Sequence, residues 1–203
     1  AQPGADIAAA ALAQARRAAA EAADLLDIGG ESTRPGAEPI GIDEELRRVL
    51  PAVRAIAAEL SLPISVDTYH AEVAAAALDA GAQIVNDIWG LRTPEGGWNE
   101  PLARLVAQRG APLVLMHNRR AQASAGALGG HYRSVEYADL LGEIMAELRA
   151  AVAYAQAHGI ARERIVVDPG IGFGKTPAQN LELVRRLAEL RALGLPLLVG
   201  ASR

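Results

Sequence analysis

Asp67, Asn86 and Asp168 are two carboxylates and one amide, each standing at or beside the end of a short apolar run. A carboxylate can accept two parallel N–H bonds from an amidine-like edge, and an amide can both donate and accept. Three such groups around one pocket suit a flat, donor-rich heterocycle. At the ends of buried strands they are costly unless they meet a donor. A plainer role for any one of them is to cap a neighbouring loop or helix N-terminus, but that account weakens when three separate runs end alike.

Other segments add chemistry. Gly29-Gly30-Glu31-Ser32-Thr33-Arg34-Pro35-Gly36 combines glycines, which let backbone approach a ligand, with hydroxyl and guanidinium donors suited to phosphates or carboxylates. Gly170-Ile171-Gly172-Phe173-Gly174-Lys175-Thr176 ends like a P-loop, yet Pro169 stands where that motif needs its first glycine. It also misses dinucleotide-binding spacing and reads as a Gly-rich strand-to-helix loop with Phe173 free to lie against a ring. Lys175, the chain's single lysine, is placed at a helix start rather than in an apolar pocket, a poor setting for a Schiff base. His117 lacks a second histidine at metal-ligand spacing, so no metal site is expected from the histidines; it reads as a hydrogen-bonded pocket or framework residue, with Met116 beside it as apolar lining. Ser202-Arg203 offers an anion grip or an ordinary loop end.

The elements that must position these groups follow from the pattern. Runs at Leu25–Ile28, Ile64–Val66, Ile84-Val85, Leu113–Met116, Ile165–Val167 and Leu197–Val199 read as about six strands buried on both faces. Helix-patterned stretches separate them: from Ile7 to Ala23 with Asp6 as N-cap, from the acids Asp43-Glu44-Glu45 through Leu60, broken or kinked at Pro51, from His70 to Ala80, from Pro101 to Arg109, from Val135 to His158, and from Thr176-Pro177 to Gly194. The βα alternation predicts an α/β fold with a parallel sheet or barrel, whose ligands collect at the carboxyl ends of the strands. The loop from Asn118 to Arg133 is long for such a connection and suits either a lid or an insertion.

With 203 residues, 51% of them hydrophobic, the chain suits one domain, 1–203. A formal charge of −4 and 3% aromatics argue against nucleic acid. No apolar stretch is long enough for a membrane span, and no signal-peptide pattern is present. Zero cysteines exclude a disulfide framework and leave cytoplasmic as the default expectation. A complete (β/α)8 barrel needs about 250 residues, so a fragment lacking strands at both ends is expected.

The blocks Asp27–Gly36, Ser65-Val66-Asp67-Thr68, Val85-Asn86-Asp87-Ile88, Leu115-Met116-His117, Asp168–Thr176 and Gly200-Ala201-Ser202-Arg203 resemble, in order, the signature blocks of the dihydropteroate synthase family. The resemblance implies a (β/α)8 TIM barrel, incomplete here, that joins 6-hydroxymethyl-7,8-dihydropterin diphosphate to p-aminobenzoate, releasing pyrophosphate. That step belongs to folate biosynthesis and is the target of sulfonamides. It implies pterin contacts at Asp67, Asn86, Ile88, Met116, Asp168 and Phe173, and catalytic roles for Asp67, Asp168 and Arg34. For p-aminobenzoate and pyrophosphate it implies Thr33, Arg34, Pro35, Ser202 and Arg203. It further implies Mg²⁺ on the pyrophosphate and a homodimer of the full-length protein. The family's first strand, with an Asn assisting the metal, and its last strand are not matched, so this polypeptide alone is expected to have little activity. The alternatives are a methyltetrahydrofolate–corrinoid methyltransferase domain, against which the Ser-Thr-Arg-Pro-Gly loop argues, a non-catalytic pterin-binding homologue, and a Schiff-base aldolase resting on Lys175.

Overall fold

Short β-branched runs flanked by glycine and proline can extend for only a few residues, and each observed strand of the main sheet has four. The computed structural model describes residues 3–32, 40–122, 124–125, 132–134 and 136–201. It is an α/β fold with five parallel strands, the alternation expected of part of a (β/α)8 barrel. The residues group into two compact units, one extending to Asn86 and the other beginning at Asp87.

The first unit contains α1 (Pro3–Ala20), β1 (Leu26–Gly29), α2 (Ile42–Glu59), β2 (Ile64–Asp67), α3 (Ala71–Ala80) and β3 (Ile84–Asp87) as far as Asn86. The strands pair in parallel, with Gly29 beside Asp67 and Asp67 beside Asn86. Alternation along a strand then sends Val66 and Val85 to one face, where both are fully buried, and Ser65, Asp67 and Asn86 to the other. Helix α1 starts earlier than expected, because Pro3 fits a first turn that needs no N–H, and Asp6 lies inside that turn rather than capping it. Pro51 does not break α2, which is continuous. Proline in a helix interior costs about 3 kcal/mol. The stripe of Val49, Val53 and Ile56, each at most 1% exposed, returns about 1.5–3 kcal/mol per side chain and outweighs that loss.

The second unit contains α4 (Glu100–Arg109), β4 (Leu113–Met116), β5 (Ser124–Ala125), β6 (Tyr132–Ser134), α5 (Leu140–Ala157), β7 (Ile165–Asp168) and α6 (Pro177–Arg185). Parallel pairing of β4 with β7 sets Met116 beside Asp168. Helix α5 begins at Leu140, not Val135, since the Asp139 side chain accepts the Gly142 N–H and caps it there. Thr176 and Gln179 form the capping box that opens α6. That helix ends at Arg185 and tightens into a 3-10 stretch, Leu187–Leu193, before Gly194 stops it at φ +64°. The long loop contains the antiparallel ribbon of β5 and β6. The sixth expected strand reduces to one bridge between Leu197 and Val167, and Val199 is 40% exposed. Among the described residues no later strand covers its other side, and a run paired on one side has little to extend it.

Candidate functional site

In the first unit the carboxyl ends of β1, β2 and β3 carry Gly29, Asp67 and Asn86 at one level. A Cβ on Gly29 would lie 3.2 Å from that of Asp67, so glycine here leaves the carboxylate its space. Asn86 Nδ2 donates to Asp27 Oδ2 at 3.0 Å, which fixes which way the amide points and presents its oxygen as an acceptor. Asp27 is solvent-accessible as a residue, but its carboxyl is crowded by protein. That desolvation raises its pKa, with the hydrogen bond from the Asn86 amide opposing. Asp27 escapes the sequence reading because Leu25–Ile28 is taken there as apolar throughout; an acid inside a buried run is the signal that would find it.

In the second unit Asp168 ends β7, 6% exposed, with Oδ1 accepting the Gly170 N–H at 2.7 Å. That leaves Oδ2 as the candidate ligand oxygen. Burial pushes its pKa up to about 6, against the Gly170 bond and the charge of Lys175. Met116, its partner across the ladder, is 5% exposed, and the same alternation puts both on one face. Ile88 is also buried, its carbonyl accepting Asn118 Nδ2 at 2.9 Å. Phe173 is half-buried in the Gly-rich turn. The structure thus pairs Asp67 with Asn86 in one unit and Met116 with Asp168 in the other. Thr33, Arg34, Pro35, Ser202 and Arg203 lie outside the described residues.

Lys175 corrects the sequence expectation most sharply. It stands at the helix start as expected, directly before the N-cap Thr176, but it is 1% exposed, and burial brings its pKa down to about 7. Its Nζ lies 3.0 Å from His117 Nδ1. His117 is therefore the buried framework residue expected, and burial lowers its pKa to about 4. Its Nε2 sits 3.1 Å from Glu147 Oε2. Burial would raise the Glu147 pKa, but His117 and Arg119 outweigh it and hold it at about 2. Among the described residues no group of three or more His, Asp or Glu side chains could hold a metal ion.

Residues 5–203 match the pterin binding enzyme family, and the chain belongs to it. It is 45% identical to the dihydropteroate synthase of Synechocystis sp. over 194 residues, 95% of this chain and 63% of that protein. A crystal structure of Xanthomonas albilineans dihydropteroate synthase with 4-aminobenzoic acid superposes with a TM-score of 0.84 at 41% identity, covering 96% of this chain and 65% of that one. The same enzyme in complex with 7,8-dihydropteroate gives a TM-score of 0.79 at 38% identity over 95% and 63% of the two chains. The chain spans less than two thirds of each of these relatives. All three are dihydropteroate synthases rather than corrinoid methyltransferases, so the methyltransferase alternative gains no support.

Proposed function

We propose that this chain supplies, as one pterin-binding domain, the pterin-holding part of a dihydropteroate synthase. The reaction joins 6-hydroxymethyl-7,8-dihydropterin diphosphate to p-aminobenzoate. The carbon–oxygen bond to the diphosphate breaks, the arylamine nitrogen bonds to the freed methylene, and that nitrogen loses a proton. The observation that carries this reading is the register of Asp67 beside Asn86, with the amide held by Asp27. One acid and one oriented amide at adjacent strand ends match the donor and acceptor edge of a pterin. Asp168, with one oxygen taken by the turn and one left over, is the second acid.

As pyrophosphate leaves, positive charge develops on the pterin methylene, and fixed carboxylates at Asp67 and Asp168 stabilise it. Arg34 and Thr33, with Pro35, are assigned to the p-aminobenzoate and anion side together with Ser202 and Arg203; Ile88, Met116 and Phe173 are assigned to the apolar faces of the ring. Mg²⁺ would neutralise the departing pyrophosphate. The described residues offer no cluster of His, Asp or Glu fitted to it. No helix among the described residues is long and apolar enough to cross a membrane. A cytoplasmic homodimer without nucleic-acid partners completes the proposal.

The test is turnover by the full-length protein with dihydropterin diphosphate and p-aminobenzoate, expected to give 7,8-dihydropteroate. Turnover of methyltetrahydrofolate with a corrinoid acceptor instead would overturn the reading. The pH profile gives a second check. Asp168 must be ionised to work, and its pKa stands at about 6. Its contribution is present above that value and disappears as pH falls through it, so kcat/KM for the pterin drops about tenfold per unit below pH 6. Asp168→Asn removes that limb.

A further inference from the structure

The chain carries 20 basic Lys and Arg residues, of which only one is lysine, and that one is fully buried. Burying an ammonium is expensive unless each of its three donors finds an acceptor. At Lys175 they do: Nζ donates to Gly170 O at 2.8 Å and to Phe173 O at 3.1 Å, and faces His117 Nδ1 at 3.0 Å. Three acceptors converging on one atom suit a compact ammonium and not the flat fork of an arginine.

The two carbonyls belong to the turn that follows Asp168. That turn runs through Gly170, Gly172 and Gly174 at φ +67°, +85° and +66°, with no regular ladder of its own. It is pressed against the end of β4: a Cβ on Gly170 would lie 2.0 Å from His117 O, and one on Gly174 would lie 2.4 Å from the Arg119 carbonyl carbon. Accepting from Lys175 at Nδ1 puts the His117 proton on Nε2, which faces Glu147 of α5. Glu147 in turn pairs with Arg119. The charged groups that act on Lys175 are Asp168, Glu147 and Arg119.

We infer that Lys175 is a positioning residue for pterin binding, tying the turn of residues 168–176 to His117 at the end of β4 so that the Asp168 carboxylate and the Phe173 ring stay in place. This rests on the synthase reading for its ligand. Lys175 also acts on Asp168 through charge, favouring the ionised form that the ligand needs.

The experiment compares wild type with Lys175→Met, which removes donors and charge, and Lys175→Gln, which keeps two of the three donors and removes charge, in the full-length protein. Without ligand, amide exchange at Gly170–Gly174 is expected to rise about tenfold or more in Lys175→Met, with α6 little changed. In Lys175→Gln it stays near wild type. In turnover, Lys175→Met raises KM for dihydropterin diphosphate about tenfold and leaves KM for p-aminobenzoate within about twofold. In both variants the acid limb of the pterin profile moves up by at least about half a pH unit. A Lys175→Met protein that melts earlier but keeps wild-type turn exchange, pterin KM and acid limb would overturn the assignment. If that variant does not fold, Lys175→Gln is decided by its acid limb, and if neither folds, Lys175 serves the core and the assignment falls. Wild-type protein that ignores dihydropterin diphosphate sinks the synthase reading, while the exchange comparison still decides whether Lys175 orders the turn.

Discussion

Asp67→Asn in the full-length protein is expected to cut kcat/KM for the pterin substrate by about 10²–10³-fold, about 2.7–4 kcal/mol, with the fold intact. The substitution keeps the side-chain volume beside Gly29 and leaves the backbone pairing of Asp67 with Gly29 and Asn86 untouched. Only the charge goes. A neutral amide still offers one acceptor to the pterin edge, so ground-state binding weakens less than turnover. The larger loss falls on the step in which the methylene becomes positive. Steady-state kinetics with dihydropterin diphosphate separate the two, and thermal melting should move by only about 1–2 °C. Wild-type turnover in this variant would show that Asp67 does not face the pterin, and the synthase mechanism argued from it would fail.

Legibility in the sequence depended on whether a residue's surroundings are local. Asp67, Asn86 and Asp168 are readable because strand periodicity and an abrupt end to an apolar run place them without any knowledge of neighbours. The helix cap at Thr176 is local too and is read correctly, whereas the caps at Asn99 and Asp139 go unread, and at Val135 the polar residues before Asp139 pass for a first turn. Lys175 is the opposite case. Position at a helix start suggests solvent, and only the folding back of three glycines with positive φ turns the side chain inward to His117. Pro51 is read as a break because the cost is local, whereas the burial that offsets it comes from elements far away in the chain. The final apolar run fails as a strand for a similar reason: pairing needs a partner, and its own residues do not say whether one is present.

Adjacent Asn86 and Asp87 look alike in the sequence and take opposite tasks, and the second of them carries the largest expected effect on stability. Asp87 is 0% exposed; Oδ1 accepts Trp89 N–H at 2.9 Å and Oδ2 accepts Leu91 N–H at 2.6 Å. These bonds hold a turn in which Leu91, a non-glycine, sits at φ +59° and Gly90 passes so close to β4 that a Cβ would meet Met116 O at 2.7 Å. Asp87→Ala strands two buried N–H groups, costing about 1–3 kcal/mol each, and frees the turn that carries Ile88. Asp87→Asn is no rescue, because its amide nitrogen would face one of two donors. Burial pushes the Asp87 pKa up to about 7, far above its value in the unfolded chain. The folded state therefore holds an extra proton between about pH 4 and 7, and the stability Asp87 contributes is fully present below that window and declines as pH rises through it. Urea unfolding of wild type and Asp87→Ala should consequently differ more at pH 5 than at pH 7.5, by up to about 2–3 kcal/mol. A difference that stays constant or shrinks on acidification would mean that Asp87 folds as a settled carboxylate, held by its two N–H bonds against burial.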